Sequence, residues 1–328
     1  MEKINWGIIG CGDVTELKSG PAFNKVPRSS LVAVMRRDAG KAKDYALRHQ
    51  VPKWYNDANQ LINDSDINAI YIATPPSSHF EYAMAAMQAG KPVYLEKPMT
   101  LNYEEASRLA ETVKENNSKL VVAHYRRQQP MFKKIKELLN ANTIGDVRFV
   151  NLLFYTTALT PAQKLIPKTA WRIDPAIAGG GLFYDLSPHQ LDLMYYFFGE
   201  PEQVNGVSLN QAGDYAADDM VSGNILFSNK IVFSGTWCFN AAPIAETDHC
   251  EIIGSKGKIE FSVFGGYGIK LTTADNVQTF TFDKLEHVQQ PMIEATVKYF
   301  LGEGENPCSA GEGAEVMRMM DEMTNNSK

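Results

Sequence analysis

Little in this sequence points to a covalent staple, a polyanion or a bilayer. Its four cysteines, Cys11, Cys238, Cys250 and Cys308, form no Cys-x-x-Cys pair and keep no regular spacing. That excludes a structural zinc site or a disulfide framework and fits a reducing compartment. An excess of positive charge is also missing. Lys+Arg 32 against Asp+Glu 38 gives net −6, so no broad positive field exists to condense on nucleic acid or anionic lipid. No apolar run approaches the ~18 residues of a membrane span. Only Met1, Glu2 and Lys3 precede the first apolar segment, too few for a signal peptide, and the expected address is the cytoplasm. What is present is ordinary for a globular protein: 328 residues, 44% hydrophobic and 21% charged, enough for about two domains of ~150 residues.

The first part alternates short apolar runs with amphipathic stretches. Ile4–Ile9, Leu31–Met35, Ala69–Ala73, Pro92–Leu95 and Leu120–Ala123 read as strands, with helical periodicity at His79–Ala89 and Asn102–Glu115. Continuous apolar strands separated by helices imply a doubly wound parallel sheet covered on both faces, a Rossmann domain over residues 1–124. After Tyr125 the pattern changes. Helical stretches at Met131–Asn140 and Phe183–Phe198 are interleaved with strands at Val147–Phe154, Val204–Leu209, Asp219–Phe227, Ile231–Phe239, His249–Ile253, Gly257–Phe261 and Tyr267–Leu271. Residues 125–328 therefore read as an α+β domain with an open, mainly antiparallel sheet. A closing helix spans Gly311–Met323, and the tail Thr324–Lys328 should fray.

Gly10-Cys11-Gly12-Asp13-Val14-Thr15 follows the first strand directly, the context in which a glycine-rich turn binds a dinucleotide. Gly10 makes the turn, Gly12 admits the pyrophosphate, and the amides opening the helix at Asp13 and Val14 face the anion. Thr15 replaces the third small residue, and Pro21 shows that Thr15–Lys25 is not one helix. At the tip of the second strand Arg36 and Arg37 stand where an acid would bind the ribose 2′-OH. Arginines pair with a 2′-phosphate, so NADP is preferred, with NAD the alternative through Asp38 two residues on. Thr74-Pro75-Pro76-Ser77-Ser78-His79 ends another strand. The prolines stiffen that loop beside the cofactor crevice, Ser77 or Ser78 would cap the next helix, and His79 is either a cofactor contact or a helix cover.

Glu96-Lys97-Pro98 also sits at a strand's carboxyl edge, where open α/β sheets bind ligands. A lysine there can hydrogen-bond a substrate hydroxyl and move its proton. The run Gly179-Gly180-Gly181 precedes Asp185 and His189, which share a helix face at i,i+4, with Asp192 placed to hold the imidazole. Pro188 either kinks that helix or marks its first turn. No metal-ligating constellation stands out.

Together, Gly10–Thr15, Thr74–His79, Glu96-Lys97-Pro98, Trp171-Arg172, Gly179–Gly181 and Asp185…His189 resemble the Gfo/Idh/MocA family of NAD(P)-dependent oxidoreductases over nearly the whole chain. The resemblance implies that Lys97 and His189 are the proton-transferring pair, with Asp185 positioning substrate hydroxyls or the lysine. It places Trp171 and Arg172 in a loop closing over nicotinamide and substrate, Glu96 among the cofactor contacts, and Tyr125 and Arg126 at the sugar pocket. The implied reaction is hydride transfer between NADP(H) and a sugar, sugar derivative or cyclitol, in a homodimer or homotetramer. Two alternatives are a glycosidase that oxidises one ring carbon transiently with tightly held NAD, and a non-catalytic dinucleotide sensor. Retention of Lys97, Asp185 and His189 opposes the sensor.

Overall fold

Six strands of the first unit take parallel partners throughout: β1 (Ile4–Ile9), β2 (Ser29–Met35), β3 (Lys53–Tyr55), β4 (Ala69–Ile72), β5 (Val93–Leu95) and β6 (Leu120–Val122), in the order β3-β2-β1-β4-β5-β6. The computed structural model describes residues 2–324. Strands β4, β5 and β6 are buried at every position, as continuous Ile, Val, Leu and Tyr demand when helices cover both faces. The order reverses at β1, which pairs with β2 on one side and β4 on the other. The carboxyl ends of β1 and β4 therefore form the switch point where such sheets take ligands.

Local chemistry starts the helices. Asp38 accepts the Lys41 amide at 3.1 Å to open Ala39–Arg48, and Asn102 accepts the Glu105 amide at 2.9 Å to open Tyr103–Glu115. Around Pro21 the chain forms two short helices, Asp13–Leu17 and Ala22–Lys25, as the proline requires. The Ser77/Ser78 cap expected for His79–Gln88 is absent. Ser78 makes no side-chain cap bond, and its hydroxyl donates to Thr74 Oγ1 at 2.8 Å instead.

This unit runs through Gln128 and also takes in Leu285–Glu315, a different division from a cut at 124/125. The reason lies in the packing of the helix Gln290–Leu301, which the periodicity did not reveal. Its Phe300 ring lies 5.7 Å from that of the buried Trp6 on β1, and Gln289 just before it reaches Tyr94 and Glu96.

The second unit, Gln129–Lys284 with the segment from Val316, carries eight strands. They are β7 (Val147–Thr157), β8 (Pro201–Leu209), β9 (Met220–Phe227), β10 (Val232–Ala241), β11 (Thr247–Gly254), β12 (Gly257–Phe261), β13 (Gly268–Thr273) and β14 (Val277–Thr281), in the order β14-β13-β12-β11-β7-β10-β9-β8. All neighbours are antiparallel except β7 and β10, which run parallel at the centre. Burial alternates: Phe233, Gly235 and Trp237 face inward on β10 while Val232, Ser234 and Thr236 do not. The helix Gly181–Phe198 contributes to the covered side, where Trp237 donates its indole N–H to Gln190 at 2.6 Å. Pro188 lies inside that helix rather than in its first turn.

A closing helix runs Ala310–Thr324; the tail beyond Thr324 lies outside the described residues. On the less covered side His249, Glu251 and Glu260 bring one ligand atom each within 4.8 Å of one another. Lys258 and Lys270 pair with these carboxylates at 3.2–3.5 Å. Among the described residues, no helix is long and apolar enough to cross a membrane.

Candidate active site

In the first unit the glycine-rich turn is built against the end of β4. Gly10 has φ +95°, and a Cβ there would lie 2.7 Å from the Thr74 amide nitrogen, so only glycine fits. Gly12 differs. A Cβ on it would meet nothing nearer than the Gly10 carbonyl at 3.9 Å, so no internal contact requires a glycine there. Its own amide donates to the Gly10 carbonyl at 2.8 Å, so a pyrophosphate in the free space over its backbone would meet the amides of Asp13 and Val14. Thr15, where a third small residue is usual, is fully buried and turns its hydroxyl back onto the Gly12 carbonyl at 2.8 Å. Tyr45 then donates to the Thr15 carbonyl at 2.8 Å. Burial pushes the Cys11 thiol up to about 11 despite nearby Arg36, so it stays protonated and unreactive.

Arg36 is half-buried and donates to the Cys11 carbonyl at 3.3 Å, beside the turn, while Arg37 is exposed. Asp38 is engaged in capping the following helix and lies below its ordinary value, chiefly through the Lys41 amide. Thr74 and Pro75 are half-buried at the same edge. His79 is fully buried, with Nδ1 3.0 Å from the Pro98 carbonyl and Nε2 2.7 Å from that of Thr74. The imidazole is thus enclosed between the 74–79 loop and the loop at Pro98, and its neutral form donates to one of the two carbonyls. Burial holds this imidazole below its ordinary value.

Glu96 anchors the next strand end. Its buried carboxylate accepts from Tyr71 at 2.6 Å, from Gln289 at 2.6 Å and from the Lys97 amide at 3.1 Å. The lysine backbone is thereby fixed while its side chain stays half-buried. Burial, then the positive charges of Arg127 and Lys97, hold His124 well below its ordinary value. Tyr125 is buried, with the Arg126 guanidinium 5.6 Å from its ring centroid. Arg127, which the sequence did not single out, is 2% exposed and bonds Glu312 at 2.5 Å.

In the second unit the glycine run is fitted by the protein itself. Gly179 and Gly181 have φ of +90° and +73°, and a Cβ on Gly180 would enter the Tyr184 ring. That ring is fixed by a 2.6 Å bond from its hydroxyl to buried Asp321. Asp185 and His189 follow on the helix Gly181–Phe198, the first half-buried, the second buried. Asp185 accepts from Arg172 Nε at 2.8 Å, and the guanidinium lies 4.5 Å from the Trp171 ring centroid. The structure thus brings Trp171, Arg172 and Asp185 into one cluster, a pairing that no spacing rule predicted across 13 positions.

Comparisons with known proteins bear on this geometry. Residues 4–124 match an oxidoreductase family model with an NAD-binding Rossmann fold, and residues 132–260 match the GFO/IDH/MocA C-terminal domain. The chain belongs to the GFO/IDH/MocA family. Oxidoreductase P35 of Formosa agariphila is 50% identical over 323 residues, covering 97% of this chain and 98% of that one. A trans-1,2-dihydrobenzene-1,2-diol dehydrogenase of Bos taurus is 29% identical over 258 residues, covering 77% and 72%. Levoglucosan dehydrogenase in complex with NADH and levoglucosan superposes with TM-score 0.88 at 24% identity over 98% and 96%; that likeness is one of fold. This GFO/IDH/MocA protein is an NAD(P)-dependent oxidoreductase with a Rossmann unit and a mainly antiparallel sheet.

Proposed function

We propose that this enzyme transfers a hydride between NADP(H) and the secondary alcohol or carbonyl of a sugar, sugar derivative or cyclitol. The observation that carries the reading is the Glu96–Lys97 strand end: a buried carboxylate grips the Lys97 amide at the edge of the sheet that holds the glycine turn, and the lysine is half-buried there. Names of relatives support the substrate class, since levoglucosan is an anhydrosugar and the bovine relative acts on a vicinal diol.

Gly10, Gly12, Asp13 and Val14 would hold the pyrophosphate, with Thr74 and Pro75 alongside. Arg36 and Arg37 favour a 2′-phosphate, because Asp38, the acid that follows them, is engaged at a helix start. When bound, the nicotinamide accepts or supplies the hydride. Lys97, as the neutral amine, accepts the proton of the reacting hydroxyl on oxidation and becomes the ammonium, which returns that proton on reduction. His189 shares that proton transfer as an acid/base group. Asp185, oriented by Arg172, accepts from substrate hydroxyls, and Tyr125 and Arg126 contact the sugar. The enzyme works in the cytoplasm as a homodimer or homotetramer through the less covered face of the eight-stranded sheet, where Val207, Phe149, Leu153 and Val232 are exposed.

A panel of sugars, anhydrosugars and polyols assayed with both cofactors at the nicotinamide absorbance tests the reading. Turnover on at least one ring alcohol, faster with NADP, is expected. Silence across the panel, with tight cofactor binding, would transfer support to a sensor.

A further inference from the structure

In the second unit a short loop touches His189 without belonging to its helix. Residues 262–267 link β12 to β13, and within them Phe264 sets its ring edge-to-face against the His189 imidazole, centroids 5.6 Å apart and planes at 79°. Such a loop would ordinarily wander, yet this one is pinned. Asp248 on β11 accepts from the Val263 amide through Oδ1 at 3.0 Å, and from the Phe264 and Gly265 amides through Oδ2 at 2.6 and 2.8 Å. Three amides converging on one carboxylate fix the loop backbone, because charge-assisted bonds are short and strong. From behind, Phe154 on β7 supports the Phe264 ring at 5.1 Å and is itself backed by Phe239 at 6.3 Å.

We propose that Phe264, fixed by the Asp248 carboxylate, is a positioning residue that holds the His189 imidazole in the orientation its proton transfer requires. The inference rests on the role given to His189 above. Edge-to-face packing restrains rotation about the second side-chain torsion, which is otherwise soft in histidine. A general acid/base group must present a ring nitrogen within hydrogen-bond reach, and small misplacements cost rate steeply. Phe264 touches the imidazole and the Asp248 carboxylate grips the loop that carries Phe264, so each acts through another residue.

The test uses the full chain and a substrate identified by the panel. Phe264→Ala should lower kcat about 10- to 100-fold while KM and the cofactor dissociation constant move little. Phe264→Tyr keeps the ring and should restore kcat to within about twofold. Asp248→Asn retains shape but cannot accept all three amides, and should lower kcat in the same sense. Placed in His189→Ala, Phe264→Ala should cause no further loss, as expected when one residue acts only through the other. Melting curves and cofactor titration for every variant separate a collapsed fold from a misdirected imidazole. Near-normal turnover in Phe264→Ala, or losses that simply multiply in the double variant, would overturn the proposal while leaving His189 in place. Near-normal turnover in His189→Ala would instead overturn the role of His189.

Discussion

The two sheets solve opposite problems. In the parallel sheet adjacent residues are buried alike: Ile8 and Ile9 are both fully buried. In the eight-stranded sheet adjacent residues part company, with Phe233 fully buried and Val232 45% exposed. The first pattern comes from covering two faces and the second from covering one. Chemistry follows the same division. In the first unit the proposed acid/base group, Lys97, follows a strand end, its amide held by a buried carboxylate; in the second the proposed groups, Asp185 and His189, sit on a helix.

The sharpest challenge to this comparison is catalytic. Lys97→Ala and His189→Ala should each lower kcat by ~10²–10⁴-fold, with cofactor dissociation constants within a few-fold, measured by steady-state kinetics and calorimetry. Should only one of them matter, the chemistry belongs to one unit. Next in size are the paired core substitutions. Ile8→Ala and Ile9→Ala should each cost ~2–5 kcal/mol, and Phe233→Ala ~3–5 kcal/mol, whereas neighbouring Val232→Ala should cost under ~1 kcal/mol. Denaturant unfolding measures all four, and equal losses at Val232 and Phe233 would erase the one-faced reading.

Cofactor choice comes third. Arg36→Asp should weaken NADP(H) by ~1.5–3 kcal/mol, roughly 10- to 150-fold, while leaving NAD(H) nearly unchanged; parallel titrations decide it. The smallest effect concerns Glu16, whose carboxyl is held down at about 2, foremost by Arg48 and also by His49, against some burial. A carboxylate with a depressed folded value adds stability above its ordinary value near 4.5 and loses it as pH falls toward 2. At 37% exposure solvent screens the pair, so Glu16→Gln should cost below ~1 kcal/mol at pH 7 and nothing near pH 2. Melting curves at both pH values, with and without salt, would show it.

Most of the framework was legible because period and apolarity carry it. Ile4–Ile9 was bounded from sequence to the residue, and the helix Gly181–Phe198 to within two. Elements that escaped lack that signal. Strand β3 is three residues beginning with lysine, and β14, Val-Gln-Thr-Phe-Thr, is a polar edge with no buried position. The parallel pairing of β7 with β10 joins strands that the helix Gly181–Phe198, β8 and β9 separate along the chain, a partnership no local pattern records. The site shows the same limit. Lys97, Asp185 and His189 stood out by motif, but Arg127–Glu312 and Glu96–Gln289 join residues nearly two hundred positions apart. Arg172 and Asp185 were both singled out, though not as partners, because loop geometry rather than helical spacing brings them together.

The late return of Gln289 and Phe300 to the first unit has a consequence for synthesis. All six parallel strands leave the ribosome before residue 125, yet Glu96 still lacks its Gln289 partner and Trp6 its Phe300 cover. At ~5–20 residues per second, roughly 10–30 s pass before those side chains emerge. Throughout that interval the nascent sheet carries an incompletely matched buried carboxylate and an indole that Phe23 and Tyr94 cover only in part. The cofactor-binding half, although first made, is therefore completed only when nearly the whole polypeptide exists.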